Sequence, residues 1–182
     1  EQVLKLALAT LPVVIIGVLG KDFIQGQLRT VPVIATTTML FGAALWYADR
    51  RPTSNSAITW QAAGLIGLAQ AIALIPGTSR SGITITAALL LGLSRVEAAR
   101  FSFLLAIPTI AGAQLLLSLD LAEGSVETDL AKVAAGAALA GVSAYLGIHY
   151  FIQLVERTGM LPYVVYRMVL GLVLFGLVFA GI

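Results

Sequence analysis

The sequence predicts an all-α integral membrane protein: about five transmembrane helices plus one re-entrant helical hairpin, part of an inverted-repeat fold. Three observations carry this. Of 182 residues, 59% are hydrophobic and only 11% charged, with a mean hydropathy of +0.97, far outside the balance of a soluble domain. Five apolar stretches are long enough to cross about 30 Å of hydrocarbon at roughly 1.5 Å per residue. A sixth apolar region is broken in its middle by a proline, two glycines and an arginine.

The five spans are Val3–Gly20, Val31–Ala48, Phe101–Leu119, Ala131–Val155 and Tyr163–Ile182. The charges collect in the intervening loops, Lys21–Thr30, Asp49–Trp60, Ser94–Arg100, Asp120–Leu130 and Glu156–Pro162. The sixth region divides into Gln61–Ile75 and Ile83–Leu93 around Pro76–Gly82. At roughly 22 and 16 Å, neither half crosses the bilayer alone, so the region is expected to enter and leave on one side.

The positive-inside rule supports that choice. A re-entrant hairpin puts Arg50, Arg51, Arg95, Arg100 and Arg157 on one side, with Lys21, Arg29, Lys132 and the acidic loop of Asp120, Glu123, Glu127 and Asp129 opposite. A single long span would separate Arg95 and Arg100 from Arg50 and Arg51. The arginine-rich loops are therefore expected in the cytoplasm and the C-terminus outside. The pair Val3–Ala48 has the same outline as Ala131–Ile182, as in inverted repeats built around broken helices. A division follows: residues 1–48 are the last two helices of a first repeat, 49–60 a cytoplasmic loop, and 61–182 a second repeat.

Several functions are disfavoured. A net charge of +2 with eleven scattered basic residues gives no nucleic-acid surface. Without cysteine there are no disulfides, thiolate metal sites or cysteine nucleophile. The chain begins at Glu1 and is apolar by Val3, without a basic leader, and reads as part of something longer.

The chemistry is concentrated in "LIPGTSRSGITITAALLLGL", residues 74–93. Pro76 lacks an amide and ends the preceding helix, while Gly77 and Gly82 permit a sharp turn. Irregular backbone at membrane depth is tolerated only when buried in protein or lining a wet cavity. A second helix starting at about Ser81 or Gly82 would aim its free amides and positive dipole end into that cavity. Thr78, Ser79 and Ser81 can donate to phosphate oxygens, Arg80 offers a planar cationic fork, and Thr84 stands one turn beyond it. An arginine inside a membrane costs several kcal/mol by most estimates and is functional by default; a structural pairing of Arg80 with a carboxylate or with helix-end carbonyls explains neither the glycines nor the hydroxyls.

"QAIALIPGTSRSGIT" followed by "LGLSRVEAARFSFLLAIP" resembles the second signature of the undecaprenyl-diphosphatase family of the bacitracin-resistance type. The resemblance implies a multi-pass enzyme of the bacterial inner membrane that removes the terminal phosphate of undecaprenyl diphosphate. It also implies two inverted repeats, a homodimer and a divalent cation, magnesium or calcium. Arg80 and Ser79 would be catalytic, and Gly77, Thr78, Ser81, Gly82, Thr84 and Gln70 would bind substrate. The family's other signature, two glutamates four apart before a Pro-x-Ser-Ser-Thr-Gly-His turn, is absent. Aligned on Pro76–Gly82, it puts Ala69 and Ala73 at the glutamates and Gly82 at the histidine, and no Asp or Glu lies between Asp49 and Glu97. Metal ligands and nucleophile are thus expected upstream of Glu1, in a missing first-repeat half, and this chain alone should be inactive.

Other polar residues read more plainly. Gln70 could reach across the cavity, or, like Gln61, bond a neighbouring helix. His149 reads as an interfacial histidine near Tyr145 and Tyr150, Trp46, Tyr47 and Trp60 as interface anchors, and Ser94, Arg95, Glu97 and Arg100 as a charged turn before Phe101. The small residues of "KVAAGAALAGVSAYLG" suit close helix packing. A transporter or flippase for an anionic lipid or small anion is the alternative function, since broken helices and inverted repeats serve transport equally well.

Overall fold

The computed structural model of the chain describes residues 1–53, 57–122 and 130–181. These form eight helices: α1 (Gln2–Leu19), α2 (Lys21–Gln27), α3 (Val31–Asp49), α4 (Trp60–Ile72), α5 (Arg80–Leu90), α6 (Arg95–Ala122), α7 (Leu130–Thr158) and α8 (Leu161–Phe179). Five of them, α1, α3, α6, α7 and α8, are long and apolar enough to cross a membrane, and they match the five expected spans. Large apolar side chains such as Leu11, Ile15, Leu139 and Leu172 are exposed, as a lipid-facing surface requires.

Three expected loops are largely helix, and of Glu156–Pro162 only Gly159 and Met160 lie between α7 and α8. The stretch Lys21–Thr30 carries the short α2. Ser94–Arg100 is the first turns of α6, which corrects the reading of a charged turn before Phe101. The cause is local: the Ser94 hydroxyl accepts from the Glu97 amide at 3.2 Å, and Ser-x-x-Glu is the pattern of a capping box. Most of the acidic stretch Asp120–Asp129 lies outside the described residues.

Neither α4, with 13 residues, nor α5, with 11, spans a bilayer. Their contacts trace a hairpin. Trp60 begins α4 under the ammonium of Lys5, 5.5 Å from the ring centroid. Further along, Gly67 meets Ala9 so closely that a Cβ would stand 2.6 Å from its Cα, and Leu74 reaches Gly17. Thus α4 runs beside α1 in the same direction. At the turn, the Thr37 hydroxyl donates to the Pro76 carbonyl at 2.6 Å and that of Thr38 to the Gly77 carbonyl at 3.2 Å. From there α5 returns beside α3, and Leu89 and Arg95 join Asp49 around a cavity of about 370 Å³. The hairpin enters and leaves at one end of the bundle, with its tip about 18 Å along α3 from Asp49.

At that shared end the Asp49 carboxylate accepts from Arg95 Nε at 2.6 Å, from Arg95 Nη2 at 3.0 Å and from the Met160 amide at 3.2 Å. One side chain therefore ties α3, the start of α6 and the turn into α8. Arg50, Arg51 and Arg95 lie there together, as the hairpin reading requires. From Met160, α8 runs antiparallel to α3: Arg167 reaches Thr38, and Gly171 lies against Met39 and Ala35. Beneath the hairpin the core is apolar, with Leu45, Ile66, Ile85, Phe101, Leu105 and Met160 fully buried.

The interface anchors carry cations as well as rings. Arg50 sits 3.7 Å over Trp46, and Arg51 stacks on Tyr47 while donating to its hydroxyl. His149 shares a 2.9 Å hydrogen bond with Gln153, one turn along α7. Residues 131–150 of α7 are exposed throughout.

Candidate active site

The turn joining α4 to α5 is built by its sequence. The last turn of α4 tightens into bonds from Ala73 to Gln70, Leu74 to Ala71 and Ile75 to Ile72, and Pro76 cannot continue it. Gly77 then takes φ +86°, a left-handed conformation, and a Cβ there would strike the Thr37 hydroxyl and the Ile34 carbonyl. Ser79 also has a positive φ, +67°, and is the only such non-glycine residue among those described. It caps α5: its hydroxyl accepts from the Gly82 amide at 3.2 Å, so the helix begins at Arg80, slightly earlier than expected.

Arg80 is half-buried at the first position of α5, and its Nη2 donates to the Ser102 carbonyl of α6 at 2.9 Å. That bond fixes the guanidinium, while its other N–H groups meet no acceptor among the described residues. The amides of Arg80 and Ser81 also lack acceptors there, as the first amides of a helix do. Positive charge, free amides and the Ser79 and Ser81 hydroxyls therefore gather at one helix start.

The remaining expected site residues divide. Gly82 is buried, and a Cβ on it would lie 3.2 Å from the Ser79 hydroxyl and 3.5 Å from Arg167 Nη1, so its bareness leaves both groups room. Thr84 is fully buried and bonds inward, to the Arg80 carbonyl at 3.0 Å, the Ser81 carbonyl at 3.1 Å and the Ser102 hydroxyl at 2.7 Å. It links α5 to α6 behind Arg80. Thr78 is also fully buried, and its hydroxyl has no partner among the described residues. Gln70 stands apart from the turn: its amide donates to the Ala9 carbonyl at 3.3 Å and its oxygen accepts from Thr109 at 3.4 Å.

Two residues outside the sequence reading join the site from α8. Arg167, only 3% exposed, donates from Nε to the Thr38 carbonyl at 3.1 Å and from Nη2 to the Gly77 carbonyl at 2.9 Å. Tyr163, one turn earlier, shares a 2.6 Å hydrogen bond with Ser79 and lies under Arg167, 5.9 Å from its guanidinium carbon. An arginine within the apolar run 163–182 carries the same signal as Arg80 and was legible by the same rule. Nothing in the sequence marks Tyr163.

Neither Arg80 nor Arg167 pairs with a carboxylate among the described residues. Arg167 is held by backbone carbonyls, whereas Arg80 keeps N–H groups that an anion would suit. A cation does not fit: no group of three or more His, Cys, Asp or Glu side chains among the described residues could hold a metal, and Asp49 is committed at the other end of the hairpin.

The chain is similar in sequence to known proteins. Residues 1–173 match the family described as bacitracin resistance protein BacA. The undecaprenyl-diphosphatase of Alcanivorax borkumensis is 56% identical over 174 residues, which cover 94% of this chain and 66% of that protein. The chain therefore spans just under two thirds of the length of this curated relative. With its arginine-bearing PGTSRSG turn held between membrane helices, the chain belongs to the bacitracin resistance protein BacA family.

Proposed function

We propose that this chain supplies the phosphate clamp of a membrane phosphatase that hydrolyses undecaprenyl diphosphate to undecaprenyl phosphate and inorganic phosphate, recycling the carrier lipid of bacterial cell-wall synthesis. The carrying observation is Arg80, anchored to Ser102 at the start of α5 with its other N–H groups meeting no acceptor among the described residues. The guanidinium fork suits two non-bridging oxygens of the terminal phosphate. The Ser79 and Ser81 hydroxyls and the helix-start amides suit the rest of its negative charge. Hydrolysis breaks the bond between the terminal phosphorus and the bridging oxygen, so charge grows on that oxygen. Donors already fixed by protein stabilise it without reorganising.

A groove of about 390 Å³, lined by Val13, Gly17, Leu74, Thr109 and Gly112 among others, offers the prenyl chain an apolar course between α1, the hairpin tip and α6. The clamp residues include no carboxylate or imidazole to activate a nucleophile or to anchor a divalent cation. We assign the base and the ligands of a magnesium or calcium ion to a first-repeat half outside this chain. In that division residues 1–48 end the first repeat, 49–60 link the two, and 61–182 form the second. The packing of α3 on α8, the last helix of each proposed repeat, supports it. The bacterial inner membrane and a homodimer complete the reading.

The test is phosphate release from a prenyl diphosphate by the full-length protein that contains this sequence, purified in detergent with magnesium or calcium. Release that depends on Arg80 is expected; substrate movement across vesicles without hydrolysis would defeat the reading. The 182-residue chain by itself should release none.

A further inference from the structure

The Ser79–Tyr163 pair has a proton to spare. Two hydroxyls 2.6 Å apart share one hydrogen bond, and that bond uses one of their two protons. The other proton has no acceptor among the described residues, since the remaining bond of Ser79 Oγ is one it accepts, from the Gly82 amide. Both side chains are half-buried rather than sealed, and they meet at the start of α5, where Arg80 directly follows Ser79 in the chain.

The direction of the shared bond decides where that proton points. When Tyr163 donates, the two accepting positions of Ser79 Oγ are filled by Tyr163 and the Gly82 amide, and the serine proton is left pointing out of the turn. When Ser79 donates instead, its proton is turned back against α8. In that second arrangement the free proton is the tyrosine's, so only the first lets Ser79 itself donate to a phosphate oxygen at Arg80. The strain at Ser79 has a use here: φ +67° is a conformation that L-residues rarely adopt, and it presents the hydroxyl to Tyr163 and to the helix start together.

Resting on the phosphate-clamp reading, we propose that Tyr163 is a positioning residue of this site, donating to Ser79 so that the serine hydroxyl delivers its proton to a phosphate oxygen of the substrate. Its ring is braced for the task, edge to face against Phe151 at 6.4 Å and beneath Arg167. Tyr163 itself need not touch substrate.

The experiment is a double-mutant cycle in the full-length protein, measuring phosphate release against prenyl diphosphate concentration for the parent, Ser79→Ala, Tyr163→Phe and the double variant, with Arg80→Ala as reference. Tyr163→Phe keeps the ring and its packing, and is expected to elute as a single species with kcat/KM lowered on the order of tenfold. The double variant is expected to be no worse than Ser79→Ala within about twofold, because the tyrosine acts only through the serine. Parental kcat/KM in Tyr163→Phe, or losses that multiply in the double variant, would overturn the proposal. Should Tyr163→Phe not fold, the cycle is run with Tyr163→Leu, which cannot donate: Ser79→Ala must then cost less than in the parent, and an equal cost overturns it. Arg80→Ala separates the two levels. If it is inactive while the cycle shows no coupling, only the tyrosine's role falls; if it turns over at the parental rate, the clamp itself falls.

Discussion

Arg167 and Thr38 hold the same oxygen: the Gly77 carbonyl accepts from Arg167 Nη2 at 2.9 Å and from the Thr38 hydroxyl at 3.2 Å. The neighbouring Pro76 carbonyl is held by Thr37. Carbonyls with no helical partner would be expensive at this depth. Here α3 and α8 take up both, the Thr78 amide turns back to the Ile75 carbonyl, and the Arg80 and Ser81 amides are left without acceptors among the described residues.

Arg167→Ala should therefore loosen the turn. Hydrogen bonds to a charged donor contribute about 1.5–3 kcal/mol, and Gly77 would keep only Thr38. We expect a lower thermal midpoint in detergent and reduced phosphate release by the full-length protein. Arg167→Lys should recover little, since one ammonium cannot bridge the Thr38 and Gly77 carbonyls as the guanidinium does. A midpoint and turnover unchanged in both variants would show that the turn does not depend on this bridge.

Two glycines are expected to resist even alanine, for different reasons. At Gly77 the left-handed backbone costs an L-residue about 1–2 kcal/mol, and the added methyl meets the Thr37 hydroxyl and the Ile34 carbonyl. At Gly67 the backbone is ordinary helix, but the methyl would stand 2.6 Å from Ala9 Cα and its carbonyl oxygen, forcing α1 from α4. Gly64, with nothing within 4 Å of its would-be Cβ, is the control. Unfolding in mixed detergent should place Gly64→Ala near the parent and the other two below it by roughly 1–3 kcal/mol.

The spans and the broken helix were legible because apolar length and Pro-Gly interruption are local properties. So was the turn's chemistry, because Arg80 and its hydroxyls are contiguous. What stayed hidden is long-range: Tyr163 is 84 residues from Ser79 and Arg167 is 90 from Gly77, and no local pattern states which helix backs the turn. The inward use of Thr84 was likewise invisible, because a threonine one turn after an arginine can face a ligand or a neighbouring helix, and only the position of Ser102 decides. Ser94 is a different case. Its capping pattern was present in the sequence, but the density of charges from Arg95 to Arg100 reads as loop.

Asp49 should prove the main tie at the hairpin's open end. Its carboxylate is 12% exposed and Arg95 is 44% exposed, so the pair is only partly shielded and the ionic part is discounted for solvent. The Met160 amide is a further loss, because Asp49→Ala leaves it without that acceptor. We expect about 1–3 kcal/mol lost in Asp49→Ala, less in Asp49→Asn, which keeps one acceptor oxygen. Arg95→Ala in the Asp49→Ala background should add little. Fully additive losses would mean that the two side chains stabilise the bundle separately.

The absence of native cysteine makes topology directly measurable. Ala57 precedes α4 and Arg100 follows α5 by two turns of α6, both exposed, whereas Arg29 lies in the connection between α1 and α3. Single cysteines at 57 and 100 should react with an impermeant maleimide from the same side of sealed vesicles, and a cysteine at 29 from the other. Opposite-side labelling of 57 and 100 would eliminate the re-entrant hairpin.

Arg80 gives the sharpest test of function, made in the full-length protein so that any partner half-site is present. Its side chain's one bond among the described residues, to the Ser102 carbonyl, orients the guanidinium and leaves its other N–H groups without an acceptor there. A fixed donor aimed at the charge that develops in the transition state is worth about 10²–10³ in rate at comparable oxyanion sites. Arg80→Ala should lower turnover by about that factor or more. Arg80→Lys keeps a charge but cannot both hold Ser102 and present a planar fork to phosphate, so it should remain substantially impaired. Ser79→Ala removes one neutral donor and should cost on the order of 1–3 kcal/mol in transition-state stabilisation. Thr84→Ala should act differently, since Thr84 bonds Ser102 rather than facing the open side of Arg80: stability should fall with turnover. Comparing thermal midpoints with rates separates these effects. An Arg80→Ala variant that elutes as a single species, melts with the parent and still releases phosphate near the parental rate would remove the arginine from the chemistry and leave it a strut between α5 and α6.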